Sequence, residues 1–305
     1  MEKKTKAPMP SINIVEEQLT LYGDVEKLPS KTIVNVSSVP QRSPFRYAGG
    51  KTWLIPEVRK WLTQADEPVA TLLEPFVGGG IVSLTAVAEH LAENAVVVEL
   101  DQEVYAVWAT MLGADNAWLA NRIYQFDLNA TNVNNITTKQ WDTLREIAFA
   151  TIIKNRTFHG GILAKGAGLL KNGENGKGLA SRWYPKTLRD RIEAIAPLKN
   201  KIVACHGNAF DFLKQYSDDS DCYHFIDPPY FQAGKRLYTH FDIDHDKLFR
   251  LVAGLKGKYL LTYDNNPQIN ALVKKYNLQS RTIPMKTTHH LQKEELLISD
   301  NFDWL

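Results

Sequence analysis

Asp227-Pro228-Pro229-Tyr230 sets a carboxylate, two prolines and an aromatic ring side by side, a combination that could do chemistry. It directly follows the apolar run Tyr223-His224-Phe225-Ile226, which predicts a strand whose carboxyl end carries the motif. Open α/β sheets bind ligands at such ends. The residue types suit one difficult acceptor, the exocyclic amine of a heteroaromatic ring, whose lone pair is delocalised and attacks poorly. A carboxylate at Asp227 and the backbone carbonyl of Pro228 can each accept one amine hydrogen. That draws the nitrogen toward a tetrahedral, more nucleophilic form. Proline lacks an N–H and fixes φ, which helps aim the carbonyl. Tyr230 supplies a flat face on which an extruded base can stack. A strand-ending turn would also account for Asp and Pro. By average residue usage, though, the string arises by chance in roughly one in a thousand chains this long.

A second group is Glu74-Pro75-Phe76-Val77-Gly78-Gly79-Gly80, between an apolar strand (71–76) and a helical run (81–91). Glycines there let a ligand approach the backbone, and a helix start offers free N–H groups. The spacing is not that of dinucleotide binders, because Ser83 stands where their third glycine falls. Glu99 and Asp101 close the next strand (95–100), where an acid commonly accepts hydrogen bonds from ribose hydroxyls. Two solvated acids at a helix start are the plainer explanation. Phe45-Arg46-Tyr47-Ala48-Gly49-Gly50-Lys51-Thr52 ends like a phosphate-binding loop, but Phe45 replaces the required first glycine and no apolar strand precedes it.

These groups need a scaffold that brings strand ends together. Further strands are predicted at 201–205, 222–226, 258–263 and 295–298, with helices at about 102 onward, 208–216, 244–256 and 267–276. Such alternation argues a doubly wound α/β sheet. It breaks between 115 and 200, where helices are predicted at 116–126, 138–153 and 187–195 around a stretch, 160–178, holding seven of the 18 glycines. The expected organisation is an N-terminal extension (1–40), a core domain (41–114 and 201–305), and an inserted, mainly helical module (115–200).

The net charge of +2 hides an uneven distribution. From Lys154 to Lys201 there are eleven Lys and Arg against Glu174, Asp190 and Glu193, a local net of +8. A basic block of this kind is the footprint of a nucleic-acid contact, although a solvated lysine-rich loop would look similar. Hydrophobic residues make up 44% and no apolar run approaches a membrane span. The basic start lacks the apolar stretch of a secretory signal. Two cysteines, Cys205 and Cys222, read as buried thiols of a reduced, intracellular protein. Neither follows a proline, as the thiolate of a cytosine ring-carbon methylase usually does. His240 to Asp246 reads as a helix start capped by Asp244 rather than a metal site, and His289-His290 as a hairpin or edge feature. The seven tryptophans read mainly as core anchors; Trp183, inside the basic block, has the best claim to lie near nucleic acid.

Taken together, the ordered groups resemble the Dam-type, alpha-group family of DNA adenine-N6 methyltransferases over most of residues 45–300. Phe45 to Lys51 is similar to the family's N-terminal cofactor motif, and Glu74 to Gly80 to its first-strand loop. Glu99 falls at its ribose-binding acid, Asn155-Arg156-Thr157-Phe158-His159-Gly160 in its target-recognition region, and Asp227 to Tyr230 at its catalytic motif. Tyr259 to Asn265 and Glu294 to Ile298 resemble its late strands.

The resemblance implies a Rossmann-like sheet with an inserted target-recognition domain. S-adenosylmethionine would be the methyl donor, no metal would be needed, and a flipped-out adenine in double-stranded DNA would be the acceptor. Asp227, Pro228 and Tyr230 would be catalytic. Tyr47, Gly49, Gly50, Lys51, Glu74, Pro75, Phe76, Gly78, Gly80, Glu99, Asn208, Ala209, Phe210 and Asp227 would hold the cofactor. Lys51, Asn155, Arg156, His159, Lys165, Lys171, Lys177, Arg182 and Trp183 would meet DNA. Asn208 stands where the family often has Asp; its amide oxygen can still accept a hydrogen bond from the cofactor's adenine amine. The loop Leu163 to Arg182 matches no target-specific pattern. A cytoplasmic monomer or weak dimer is implied, with or without a cognate restriction nuclease. Cytosine-N4 or RNA adenine methylation, or nucleic-acid binding without catalysis, are the alternatives.

Overall fold

The computed structural model describes residues 39–47, 49–64, 67–163, 167–173, 176–230, 242–286 and 292–305. The expectations for residues 1–38, Lys165, His240-Phe241 and His289-His290 lie outside these. The apolar runs form strands β1 (Val69–Glu74), β2 (Ala92–Glu99), β3 (Ile202–His206), β4 (Cys222–Ile226) and β5 (Tyr259–Asp264). With β6 (Gln279–Lys286) and β7 (Gln292–Ser299) they make one sheet among the described residues, ordered β3-β2-β1-β4-β5-β7-β6. β1 to β5 run parallel; β7 is antiparallel to both β5 and β6.

Side chains alternate across this sheet and divide the interior into two cores. Leu72, Val97, Phe225 and Leu260 point into one, and their neighbours Leu73, Val98, Ile226 and Leu261 into the other. The first core is closed by α1 (Ile55–Leu62), α2 (Ile81–Ala88) and α3 (Gln102–Leu112). Four helices of the 115–200 segment join it: α4 (Asn116–Tyr124), α5 (Ala130–Thr138), α6 (Leu144–Thr157) and α7 (Pro185–Ile195). The second core is closed by α8 (Ala209–Gln215), α9 (His245–Val252) and α10 (Pro267–Lys275). Burial on both faces explains why β4 and β5 read as unbroken apolar runs.

Residues 115–200 share the first core rather than enclosing their own. α6 lies along α3 and α7 along α4, and residues 34–305 form one compact unit. The helix expected at 138–153 is instead α6, starting at 144. Thr143 fixes that start with a reciprocal cap: its hydroxyl donates to Glu146 at 2.7 Å and accepts the Glu146 N–H at 3.4 Å. α5 has no counterpart in the expectations. Rich in Asn and Thr, it buries only Val133 and is capped by Asn129. Asp244 caps α9 as the sequence suggests, accepting the Lys247 N–H at 2.9 Å.

β1 pairs with β2 on one side and with β4 on the other. The chain therefore reverses its direction of travel across the sheet between these strands, leaving a crevice beyond their carboxyl ends. Glu74 closes β1 and Asp227 follows β4. The two chemical groups of the sequence thus share one crevice.

Candidate active site

A cavity of about 770 Å³ opens at that crevice. All fourteen residues assigned to the cofactor line it, from Tyr47, Gly49, Gly50 and Lys51 through Glu74, Pro75, Phe76, Gly78 and Gly80 to Glu99, Asn208, Ala209, Phe210 and Asp227. Pro229 also reaches it, whereas Pro228 is buried.

The glycine loop owes its shape to two positive φ angles. Gly78 (φ +44°) lies under the Tyr47 ring and Gly80 (φ +58°) under Trp108, each too close to admit a Cβ. The Trp108 indole N–H donates to the Gly78 carbonyl at 3.0 Å and pins the loop from below. Trp108, one of seven tryptophans read as core anchors, is therefore also a support of the site. Behind the loop Glu74 is buried and accepts the Ser83 hydroxyl at 2.5 Å and the Ser83 N–H at 3.0 Å. Burial pushes its carboxyl up to about 8; the Ser83 bonds oppose this and the Asp227 charge adds to it.

The two acids after β2 take different roles. Asp101 caps α3, accepting the Glu103 N–H at 2.8 Å. Glu99 is held by three backbone donors: Leu100 and Asp101 at 2.9 Å, and Gly78 at 3.2 Å. Burial raises its carboxyl to about 7 despite these bonds. A carboxylate has about four acceptor sites, so one remains for a ligand hydroxyl. Asn208 caps α8, its side-chain oxygen accepting the Phe210 N–H at 3.0 Å, with a second lone pair to spare.

Around Asp227 the chain gathers Lys51, Thr262, Glu295 and Tyr230. Lys51 Nζ lies 2.9 Å from Asp227 Oδ1 and 3.5 Å from Glu295 Oε1. Thr262 donates to the same Asp227 Oδ1 at 2.8 Å. One carboxylate oxygen is thus locked twice over while the side chain stays 22% exposed toward the cavity. Burial pulls the Lys51 ammonium down, but Asp227 and Glu295 outweigh it and hold the group charged. Burial and the same two carboxylates keep the Tyr230 phenol protonated, and it donates to Glu295. The Tyr230 ring packs 5.5 Å from that of Tyr263, with Lys51 Nζ 5.1 Å from its centroid.

Several residues assigned to DNA sit elsewhere. Lys51 is 5% exposed and belongs to the Asp227 cluster. Asn155 is wholly buried: its amide accepts the Arg46 N–H at 2.8 Å and donates to the Arg46 and Gly161 carbonyls at 2.9 Å. It ties two backbone segments and, at 0% exposure, is out of reach of a base. Arg156 is buried, donates to the Pro44 carbonyl and forms part of the cavity wall. Trp183 packs edge-on to Phe126 at 5.9 Å, within the first core, and Arg182 is half-buried. His159, Lys171 and Lys177 are exposed. Of the cysteines, Cys222 is buried and Cys205 only half-buried. Sequence reasoning missed Glu295 and Thr262. A signal existed for Thr262, the one small polar side chain within the buried run Tyr-Leu-Leu-Thr-Tyr, since buried polar groups need partners.

A seven-stranded Rossmann-like sheet with its crevice at this switch point defines the fold class. Residues 47–151 match the D12 class of N6 adenine-specific DNA methyltransferases, in keeping with the resemblance read from the motifs. Solved structures similar in fold include the rRNA methyltransferase AviRa from Streptomyces viridochromogenes, at 13% identity, covering 82% of this chain and 85% of that one with a TM-score of 0.36. Another is TrmK from M. capricolum with S-adenosylhomocysteine, at 8% identity, 81% and 67% coverage and a TM-score of 0.36. No curated protein sequence matches the chain. The chain is an S-adenosylmethionine-dependent methyltransferase.

The cavity's residues fit that cofactor: Glu99 has an acceptor site to spare for a ribose hydroxyl, and the glycine loop opens on the start of α2. The loop's rigidity can be tested. Alanine at Gly80 would place its Cβ 2.3 Å from the Trp108 ring at a left-handed φ. Gly80→Ala is expected to cost about 1–3 kcal/mol of stability and at least about tenfold in S-adenosylhomocysteine affinity. Calorimetry and thermal melting would check this; unchanged values would mean that the loop adapts.

Proposed function

We propose that the chain transfers a methyl group to the exocyclic N6 amine of an adenine turned out of double-stranded DNA, at a defined sequence. The observation that carries this reading is Asp227: one oxygen is fixed by Lys51 and Thr262, and the partly exposed side chain lines the cofactor cavity. S-Adenosylmethionine, when bound, supplies the electrophilic methyl group. Asp227 then accepts one amine hydrogen and the Pro228 carbonyl the other, which localises the lone pair for in-line attack. No covalent enzyme intermediate is involved, and preorganised acceptors provide much of the rate. Tyr230 would offer its ring face to the extruded base, with its hydroxyl anchored on Glu295.

DNA is proposed to bind through the 154–201 block, with phosphates supplying affinity and a few side chains reading bases. His159, Lys171 and Lys177 are its exposed candidates.

The direct test is transfer of a tritiated methyl group to duplex DNA, single-stranded DNA and RNA, followed by nucleoside analysis. N6-methyldeoxyadenosine formed preferentially in duplex is the expected product; label in cytosine or only in RNA would sink the assignment. In the same assay, Lys171→Ala with Lys177→Ala should flatten the salt dependence of DNA binding by about two units of slope. An unchanged slope would move the interface elsewhere.

A further inference from the structure

Glu295 is 4% exposed on β7, beside the apolar Leu296, Leu297 and Ile298. A buried carboxylate is costly unless paired, and a neutral side chain at this point would avoid the cost. The reaction as derived above gives this acid no role. Its contacts suggest one. The Lys51 ammonium has three hydrogens and three acceptors: Asp227 Oδ1 and the Gly49 carbonyl, each at 2.9 Å, and Glu295 Oε1 at 3.5 Å. The Tyr230 hydroxyl donates to the same Glu295 oxygen and lies 3.5 Å from Thr262 Oγ1, which in turn binds Asp227. Glu295 therefore touches both routes that end on Asp227 Oδ1, one through Lys51 and one through Tyr230 and Thr262.

We propose that Glu295 is a positioning residue for methyl transfer. By holding Lys51 and the Tyr230 hydroxyl, it fixes which oxygen of Asp227 is engaged and which faces the amine. It needs no contact with substrate or cofactor. The inference rests on the methyl-transfer reading above and adds to it the side chain on β7 that sets the geometry.

Glu295→Gln keeps the size of the side chain and an oxygen for the Tyr230 hydroxyl, but removes the charge that Lys51 answers. Single-turnover transfer is expected to slow by about ten- to hundred-fold, the scale of one charge-assisted hydrogen bond. Affinities for S-adenosylhomocysteine and for duplex carrying 2-aminopurine at the target should stay within about twofold, and Tm should not fall. A wild-type rate would overturn the proposal. So would a loss of rate accompanied by equal losses of both affinities and of Tm, which is the signature of a merely structural residue. A second arm does not depend on methyl transfer. Lys51→Met should lower Tm, and adding Glu295→Gln should recover part of the loss, because the acid left without its cation is removed. Strictly additive Tm changes would overturn the pairing. Should the wild-type chain label no adenine in any DNA, the functional reading falls, and the melting cycle alone decides whether Glu295 and Lys51 act together.

Discussion

Asp227→Ala abolishes methyl transfer, slowing it by at least about a thousand-fold, while the protein stays folded. The second half of this expectation comes from the charge count around Lys51. Two carboxylates, Asp227 and Glu295, share one ammonium in a largely buried cluster. Deleting Asp227 leaves Lys51 paired with Glu295 at a ratio of one to one. It also relieves Glu74, whose carboxyl is pushed up partly by the Asp227 charge. Tm should therefore hold or rise, an instance of stability given up for activity at a site. Single-turnover kinetics and thermal melting of the same preparation test both halves. Retained transfer would remove Asp227 from the reaction. A collapsed Tm would mean that the cluster is built to hold the fold rather than to present the acid.

The parts of this site that could be read from the sequence are those set by local backbone. β4 and the carboxyl-terminal halves of β1 and β2 are largely buried on both faces, so their apolar runs stand out, and the residues just past them must lie at the crevice. Glu74 to Gly80 and Asp227 to Tyr230 are legible as strand-end groups for that reason. Which way a side chain turns is another matter. Glu99 and Asp101 are two residues apart and equally acidic, yet one is held by three backbone donors at the cavity and the other caps a helix. The difference lies in the turn at Leu100, which composition does not reveal. Asn155 and Arg156 sit in the basic block, but α6 turns both into the interior. β6 was missed because it opens at the sheet edge with Gln-Ser-Arg-Thr, which carries no apolar alternation, and then holds Pro284. Glu295 was hidden in another way: it precedes an apolar run, and its partners lie 65 and more residues away in sequence. Long-range pairing of polar groups is the information a single sequence carries least.

Lys51→Met has the largest expected effect on stability, opposite in sign to that of Asp227→Ala. Methionine fills the volume of the lysine stem but leaves Asp227 and Glu295 facing one another without a cation. Removing one partner of a buried ion pair costs about 3–5 kcal/mol, and here two acids are left behind. The pH dependence follows from the same geometry. Burial already raises the Glu295 carboxyl above its ordinary value, and Lys51 is the first of the groups that oppose the rise. Without Lys51 that carboxyl moves further up. An acid with a raised folded-state pKa contributes most below its unfolded value and loses that contribution as pH climbs through the folded one. The Tm deficit of Lys51→Met should therefore be small near pH 4.5, widen steadily above it, and be largest above neutrality. Melting wild type and variant in parallel from pH 4.5 to 8.5 reads this directly. A deficit independent of pH would mean that lost packing, not lost charge, accounts for it. Methyl transfer should fail at every pH, because without the ammonium nothing but Thr262 holds Asp227 Oδ1 in place. Activity that survives in Lys51→Met would show that the second Asp227 oxygen finds the amine without help, and would leave the ammonium a purely stabilising part.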